Sequence, residues 1–191
     1  TFRALRRAFP TARELARASE KEIAGALKPG GLSNQKAARI REIIDAIVAE
    51  FGRLTLAPLR NLGDDECESY LTSLPGVGRK TARCVMMYSL DRAVFPVDTH
   101  CWRIAQRLGW IVPTYSDGRC SQKDMDRLQD LIPSDLRFTL HVNLVSLGRE
   151  ICKSGNPDCF RCPIAGYCPK VFVCSPEALQ SGHEPLKATK S

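Results

Sequence analysis

Leu74-Pro75-Gly76-Val77-Gly78-Arg79-Lys80-Thr81-Ala82 is the stretch on which the reading of this sequence turns. Two glycines two positions apart, between helix-like segments, let the backbone turn sharply and approach a ligand with no Cβ in the way. The amides that open the following helix can then point at a phosphate. A hairpin built from Gly76, Val77 and Gly78 grips a nucleic-acid backbone rather than a base, and so adds affinity without sequence preference. The structural alternative is a plain corner between two helices, where glycine is common. Lys80 falls in the first turn of the next helix, where the dipole disfavours its charged form and moves the ammonium toward a nucleophilic amine. Lysine as a nucleophile implies a Schiff base with an aldehyde or sugar C1′. A phosphate-contacting or solvated lysine is the other reading of this position.

Working outward, helical punctuation dominates. Ser19-Glu20-Lys21-Glu22 is a capping box opening a short helix that stops before Pro29. The loop Pro29-Gly30-Gly31-Leu32-Ser33-Asn34 then offers Ser33 or Asn34 as the next cap. Ile40, Ile43, Ile44, Ile47, Val48 and Phe51 recur at three and four and build one apolar stripe. Asp64 or Asp65 starts a helix through Leu71, and another runs from Arg79. Asp98 opens a helix to Leu108, Ser121 caps one ending at Pro133, and Leu136 to Leu147 forms the last long one. Only residues 93–97 resemble a strand, so the expected fold is all-α. The expected organisation is a helical-bundle domain at 1–92, a cysteine-rich domain at 93–174 and a polar, unpatterned, disordered tail at 175–191.

The chain has 191 residues, with 28 Lys and Arg against 21 Asp and Glu, a net charge of +7. With 43% apolar and 26% charged residues it reads as a globular chain long enough to bury about 70% of its extended surface. No stretch approaches the roughly 18 apolar residues of a membrane span, and the N-terminus has no signal-peptide core. It starts without Met and enters helix-like sequence directly, as the ordered part of a longer protein would. The positive balance is compatible with a polyanionic partner and by itself says little.

Nine cysteines, an odd number with no export signal, disfavour a complete disulfide framework. Cys67, Cys84, Cys101 and Cys120 are scattered, whereas Cys152, Cys159, Cys162 and Cys168 follow one another at x6, x2 and x5. Four thiolates on such short loops can converge on one soft metal centre. Structural zinc is the rival, but zinc sites usually show two Cys-x2-Cys knuckles and this array has one, which favours an iron–sulfur cluster. Cys174 lies outside the array as a spectator. Asp98 reads as an N-cap, a role that can coexist with catalysis because a capping carboxylate is held rigidly. His141 sits within an apolar helical pattern and reads as a core or supporting residue, His183 belongs to the tail, and His100 is no strong catalytic candidate.

Taken together, the hairpin with Lys80, the segment Val97-Asp98-Thr99-His100 and the four-cysteine array resemble the endonuclease III family, helix-hairpin-helix DNA glycosylases with a 4Fe-4S cluster. The resemblance runs from Phe2 to Lys170. Gly31-Leu32-Ser33-Asn34-Gln35-Lys36-Ala37 and His141-x6-Gly148-Arg149-x2-Cys152 are also in register. It implies two helical domains with double-stranded DNA in the cleft between them. It further implies a bifunctional glycosylase and abasic-site lyase that removes oxidised pyrimidines, with Lys80 attacking C1′ and Asp98 activating it and stabilising charge on the sugar. Cys152, Cys159, Cys162 and Cys168 would bind the cluster, and Leu32 would be the apolar wedge that fills the space of an extruded nucleotide, although an inward-packed loop leucine is equally compatible with the sequence. A second family wedge, a glutamine in an N-terminal helix, would lie before Thr1. Lys153 is the lone cation of the loop 153–158, opposed by Asp158, where relatives often carry several basic residues. A relative acting on 5-methylcytosine or on mismatches, or a non-catalytic DNA-binding module, are the alternatives. The resemblance places the protein inside the cell with DNA, as a monomer with no membrane partner.

Overall fold

A computed structural model of the chain describes residues 2–173. Cys174, His183 and the tail at 175–191 lie outside them. The described residues form nine α-helices and no strand: α1 (Phe2–Ala8), α2 (Ala12–Arg17), α3 (Glu20–Leu27), α4 (Ser33–Phe51), α5 (Asp64–Ser73), α6 (Arg79–Ser89), α7 (Thr99–Arg107), α8 (Gln122–Leu131) and α9 (Arg137–Glu150). Residues 93–97 carry no secondary structure, and Val94, Phe95 and Val97 are buried as core side chains. None of the described helices is long and apolar enough to cross a membrane. The chain divides into two compact units inside α6, between Ala82 and Arg83. The sequence had suggested a change of domain after residue 92.

In the first unit α3 packs on α4, with α1 against α3 and α2 against α4. Its core joins Ala18, Ile23, Leu27, Ala37 and Ile44, with Leu5, Phe9, Leu15 and Ile40 packed around them. The capping box at Ser19 forms as its sequence requires: Glu22 N donates to Ser19 Oγ at 3.3 Å while Ser19 N donates to the Glu22 carboxylate at 2.7 Å. Arg41, on α4, donates to the Ala16 and Ala18 carbonyls at 3.0 and 2.9 Å, satisfying acceptors that the end of α2 leaves open. The start of α4 departs from expectation. Its N-cap is Leu32, in the left-handed region at φ 50°, ψ 34°, and no side chain caps it, because Ser33 is already the first helical residue.

In the second unit α7 packs on α9. Phe95, Val97, Cys101, Trp102, Ile104, Ala105, Ile111, Leu128, Ile132 and Leu144 form one core. Arg83 and Asp124 are among the charged side chains buried in this unit, each with partners. Arg83 donates to the Asp126 carboxylate at 2.6 Å and to the Met125 carbonyl at 3.3 Å. Asp124 accepts from Thr114 Oγ1 at 2.6 Å and from Ser121 N and Oγ at 3.0 and 2.8 Å. From Lys153 to Val173 no residue is fully buried, so that segment has no apolar core of its own.

Candidate functional site

The hairpin forms as expected. Leu74 and Leu71 anchor its entrance in the core, Val77 N donates to Leu74 O at 3.1 Å to close the turn, and Ala82 N donates to Gly78 O at 3.0 Å to begin α6. Gly76 has φ 70°, which an L side chain adopts only under strain, and a Cβ there would meet the Arg39 side chain at 2.8 Å. Gly78 has an ordinary φ, and a Cβ there would meet nothing within 4 Å. The first-turn amides of a helix have no intrahelical acceptor, and at the start of α6 the glycines before them are exposed, as an approach by a phosphate would require. Arg79 is ion-paired with Glu68 of α5, so the exposed cation of this first turn is Lys80. Leu32, also in the first unit, is 69% exposed, which excludes the inward-packed alternative.

Asp98 caps α7 in the second unit. Its Oδ1 accepts from His100 N at 2.9 Å and from Cys101 N at 2.8 Å. Burial raises the carboxyl's proton affinity, but hydrogen bonds from Cys101 and the fields of His100 and His141 outweigh it, so its pKa is held below the ordinary aspartate value. His141 is buried and donates from Nδ1 to the Pro96 carbonyl at 2.9 Å, the supporting place expected for it. Burial, with Asp98 beside it, pushes the Cys101 thiol far up, so it stays protonated. His100 Nδ1 lies 3.1 Å from Arg103 Nη2.

Cys152, Cys159, Cys162 and Cys168 all line one small pocket, partly open to solvent, with Ile151, Pro157, Ala165 and Val173 supplying apolar wall. No three His, Cys, Asp or Glu side chains among the described residues form a ready site for one metal ion. Burial raises the Cys159 thiol, with Lys170 at the rim pulling the other way. Lys153 is exposed. Asp158 turns to Arg161, accepting from Arg161 N at 3.3 Å and pairing with its guanidinium at 3.6 Å.

Two arginines missed in the sequence tie α7 to this loop. Arg103 donates to the Cys152 carbonyl at 3.0 and 2.7 Å and to the Gly148 carbonyl at 2.9 Å. Buried Arg107 donates to Cys152 Sγ at 3.0 Å and to the Lys153 and Ser154 carbonyls at 2.7 and 2.9 Å. Their trace in the sequence is a pair of cations four apart, on a helix whose other face carries Cys101, Trp102, Ile104 and Ala105. Gly148 lets α9 approach α7 closely, since a Cβ there would sit 2.6 Å from His100 Cβ.

An all-helical chain that presents a glycine hairpin, an exposed lysine behind it and a capping aspartate has the parts of a helix-hairpin-helix DNA repair protein. Residues 1–129 match the HhH-GPD superfamily of base excision DNA repair proteins, and the chain belongs to that family. It is 35% identical over 160 residues to endonuclease III of Thermotoga maritima, an alignment covering 84% of this chain and 68% of that protein. It is 31% identical over 165 residues to the DNA glycosylase/AP lyase ROS1 of Arabidopsis thaliana, covering 79% of this chain and 12% of ROS1. At 36% identity to another Arabidopsis thaliana relative, the chain spans 58% of that protein's length. Its fold superposes on a solved endonuclease III–DNA complex with a TM-score of 0.71 at 25% identity, covering 88% of this chain and 73% of that one.

Proposed function

We propose that this protein is a base-excision DNA glycosylase and abasic-site lyase that removes oxidised pyrimidines from duplex DNA. The observation that carries the reading is the exposed Lys80 in the first turn of α6, directly behind the Gly76–Gly78 hairpin. The hairpin amides hold a backbone phosphate, and Lys80 Nζ attacks C1′ as the base leaves with the bonding pair and takes up a proton. The product, an N–C1′–O4′ aminal, opens to the imine as the C1′–O4′ bond breaks and O4′ takes up a proton. The imine acidifies the neighbouring C2′ proton, and loss of that proton breaks the C3′–O bond, the phosphate oxygen leaving with the bonding pair, which nicks the strand. Asp98, pinned by two amides and kept ionised by them, accepts the Lys80 proton and opposes positive charge on the sugar. Leu32 enters the duplex to offset the unstacking that extrusion costs. Lys153 meets a phosphate from the loop 153–158. The names endonuclease III and DNA glycosylase/AP lyase among the relatives support the reading.

The donor set fits a 4Fe-4S cluster. Four thiols surround a common void rather than meeting at a point, and a cluster, larger than one ion, takes its ligands from farther apart. Cys152, Cys159, Cys162 and Cys168 would hold it, and Arg107 would donate to the Cys152 sulfur. When bound, the group cross-links a segment that lacks an apolar core. In this reading the cluster belongs to the second of two helical domains, and the protein works as a monomer on DNA inside the cell.

Borohydride trapping on abasic duplex tests the mechanism: Lys80→Gln should abolish the trapped complex and the nick while DNA binding and iron content persist. A trapped Lys80→Gln complex would mean that another amine is the nucleophile. Duplexes carrying oxidised pyrimidines, mismatches or 5-methylcytosine test the base preference, and preferential excision of either of the last two would replace the proposed substrate.

A further inference from the structure

The first two helices carry Arg3, Arg6, Arg7, Arg13 and Arg17 against one carboxylate, Glu14, which places four of the chain's seven net positive charges in its first seventeen residues. Glu14 is already engaged, accepting from Thr11 N at 2.8 Å and from Thr11 Oγ1 at 2.9 Å. At about 100° per residue, Arg3, Arg6 and Arg7 fall on one side of α1, opposite Leu5 and Phe9, which pack into the core. Arg13 and Arg17 share a face of α2 opposite Leu15. All five are exposed, and none has a hydrogen bond or ion pair to another described residue. Elsewhere in the unit, Arg39 pairs with Glu42, Arg41 binds carbonyls and Asp45, and Arg79 pairs with Glu68, while Arg53 stands exposed away from α1 and α2 in the sequence. Like charges packed this densely repel one another unless a polyanion compensates them.

We propose, building on the function assigned above, that the arginine faces of α1 and α2 form a second phosphate-binding footprint on duplex DNA, separate from the hairpin. The hairpin offers amides, its arginine is tied to α5 and its exposed Lys80 is assigned to the sugar, so further cationic affinity in the first unit falls to other side chains. Every cation of α1 and α2 is arginine, whose planar fork matches phosphate in two-point contact. Arg3 and Arg7, like Arg13 and Arg17, are about 6 Å apart along their helix axes, close to two nucleotide steps of about 3.4 Å. A membrane surface is disfavoured because Leu5 and Phe9 pack against the core, which leaves Phe2 as the one large apolar side chain that the seven-residue α1 could insert. A protein partner would want an apolar centre to its interface, and these faces offer a single large exposed apolar side chain, Phe2, at the edge of the α1 face beside Arg6.

The test is the slope of log affinity against log salt for the full chain on a duplex with a stable abasic-site analogue. Each phosphate contact contributes about 0.9 to that slope, so Arg3→Gln/Arg6→Gln/Arg7→Gln should lower its magnitude by about 1 to 3. Iron content and thermal midpoint should stay at wild type, since these side chains are exposed, and the corresponding triple lysine variant should restore most of the slope. A triple glutamine variant with the wild-type slope overturns the proposal. Lost binding to polyglutamate with an unchanged duplex slope would assign the face to an acidic protein and overturn it equally. A wild-type chain without steep salt dependence or trapping would instead strike the function assigned above.

Discussion

Leu32 holds a large exposed apolar side chain on a left-handed backbone, a combination that stability alone would not select. A non-glycine residue there carries about 1 kcal/mol of strain, offset on substitution by the greater freedom glycine gives the unfolded chain. Leu32→Gly should therefore unfold within about 0.5 kcal/mol of wild type or above it, while excision from paired lesions falls well below excision opposite an abasic gap. Equal losses on both substrates would assign Leu32 to folding. Gly76 and Gly78 separate backbone strain from ligand approach in the same way. Gly76→Ala should cost about 1 kcal/mol through its φ, whereas Gly78→Val should leave the urea midpoint nearly unchanged and still weaken abasic-DNA binding. A Gly78→Val protein with normal binding would reduce the hairpin to a corner. Asp98 adds a pH signature. Its folded pKa is depressed, so its contribution to stability is complete above the ordinary aspartate pKa of about 3.9 and is lost as pH falls through the lowered value. The urea-midpoint difference between wild type and Asp98→Asn should hold from pH 7 to about 5 and shrink toward pH 3, and excision by the variant should be largely lost at neutral pH. The cap at Asp98 was legible because an aspartate before an amphipathic run has few other uses. The strain at Leu32 was not, because the favoured caps Ser33 and Asn34 follow it directly.

At the scale of elements, α7 connects the capping aspartate at its start to the cysteine loop through Arg103 and Arg107. Arg107→Ala would leave a sulfur and two carbonyls without their donor, a loss of about 2 to 4 kcal/mol. The expected outcome is accelerated iron release under chelator with the helix content of the first unit retained, as followed by absorbance and circular dichroism. Gly148→Ala should disturb the same region by another route, since its Cβ meets His100 Cβ rather than a flexible chain end. Overpacking of that kind costs about 1 to 3 kcal/mol, and an unshifted thermal midpoint would contradict it. Cys152→Ser should lower iron per chain and loosen the C-terminal segment, while Cys174→Ser should leave iron unchanged; iron loss in the latter would mean a different set of four ligands. Spacing announced the four cysteines and the boundaries of α3, α5, α6, α7 and α8 nearly to the residue, because caps and prolines mark them locally. The arginines were hidden, because the acceptors that make them structural lie more than forty residues away in sequence.

Over the whole molecule, helix periodicity made the all-α class plain, while the division of the chain inside α6 left no trace, since a continuous helix offers no breaker between Ala82 and Arg83. Net charge was legible only as a total; its concentration in α1 and α2 became informative once their arginines were seen without partners. The segment from Lys153 to Val173 has a different consequence. With no fully buried residue, its order rests on the Arg107 contacts and whatever the four cysteines hold. If that is iron, the segment would lie open to cleavage whenever iron is scarce. Protease should cleave the iron-depleted protein first between Lys153 and Val173 and spare the loaded one, so the lifetime of this protein would follow the supply of a nutrient.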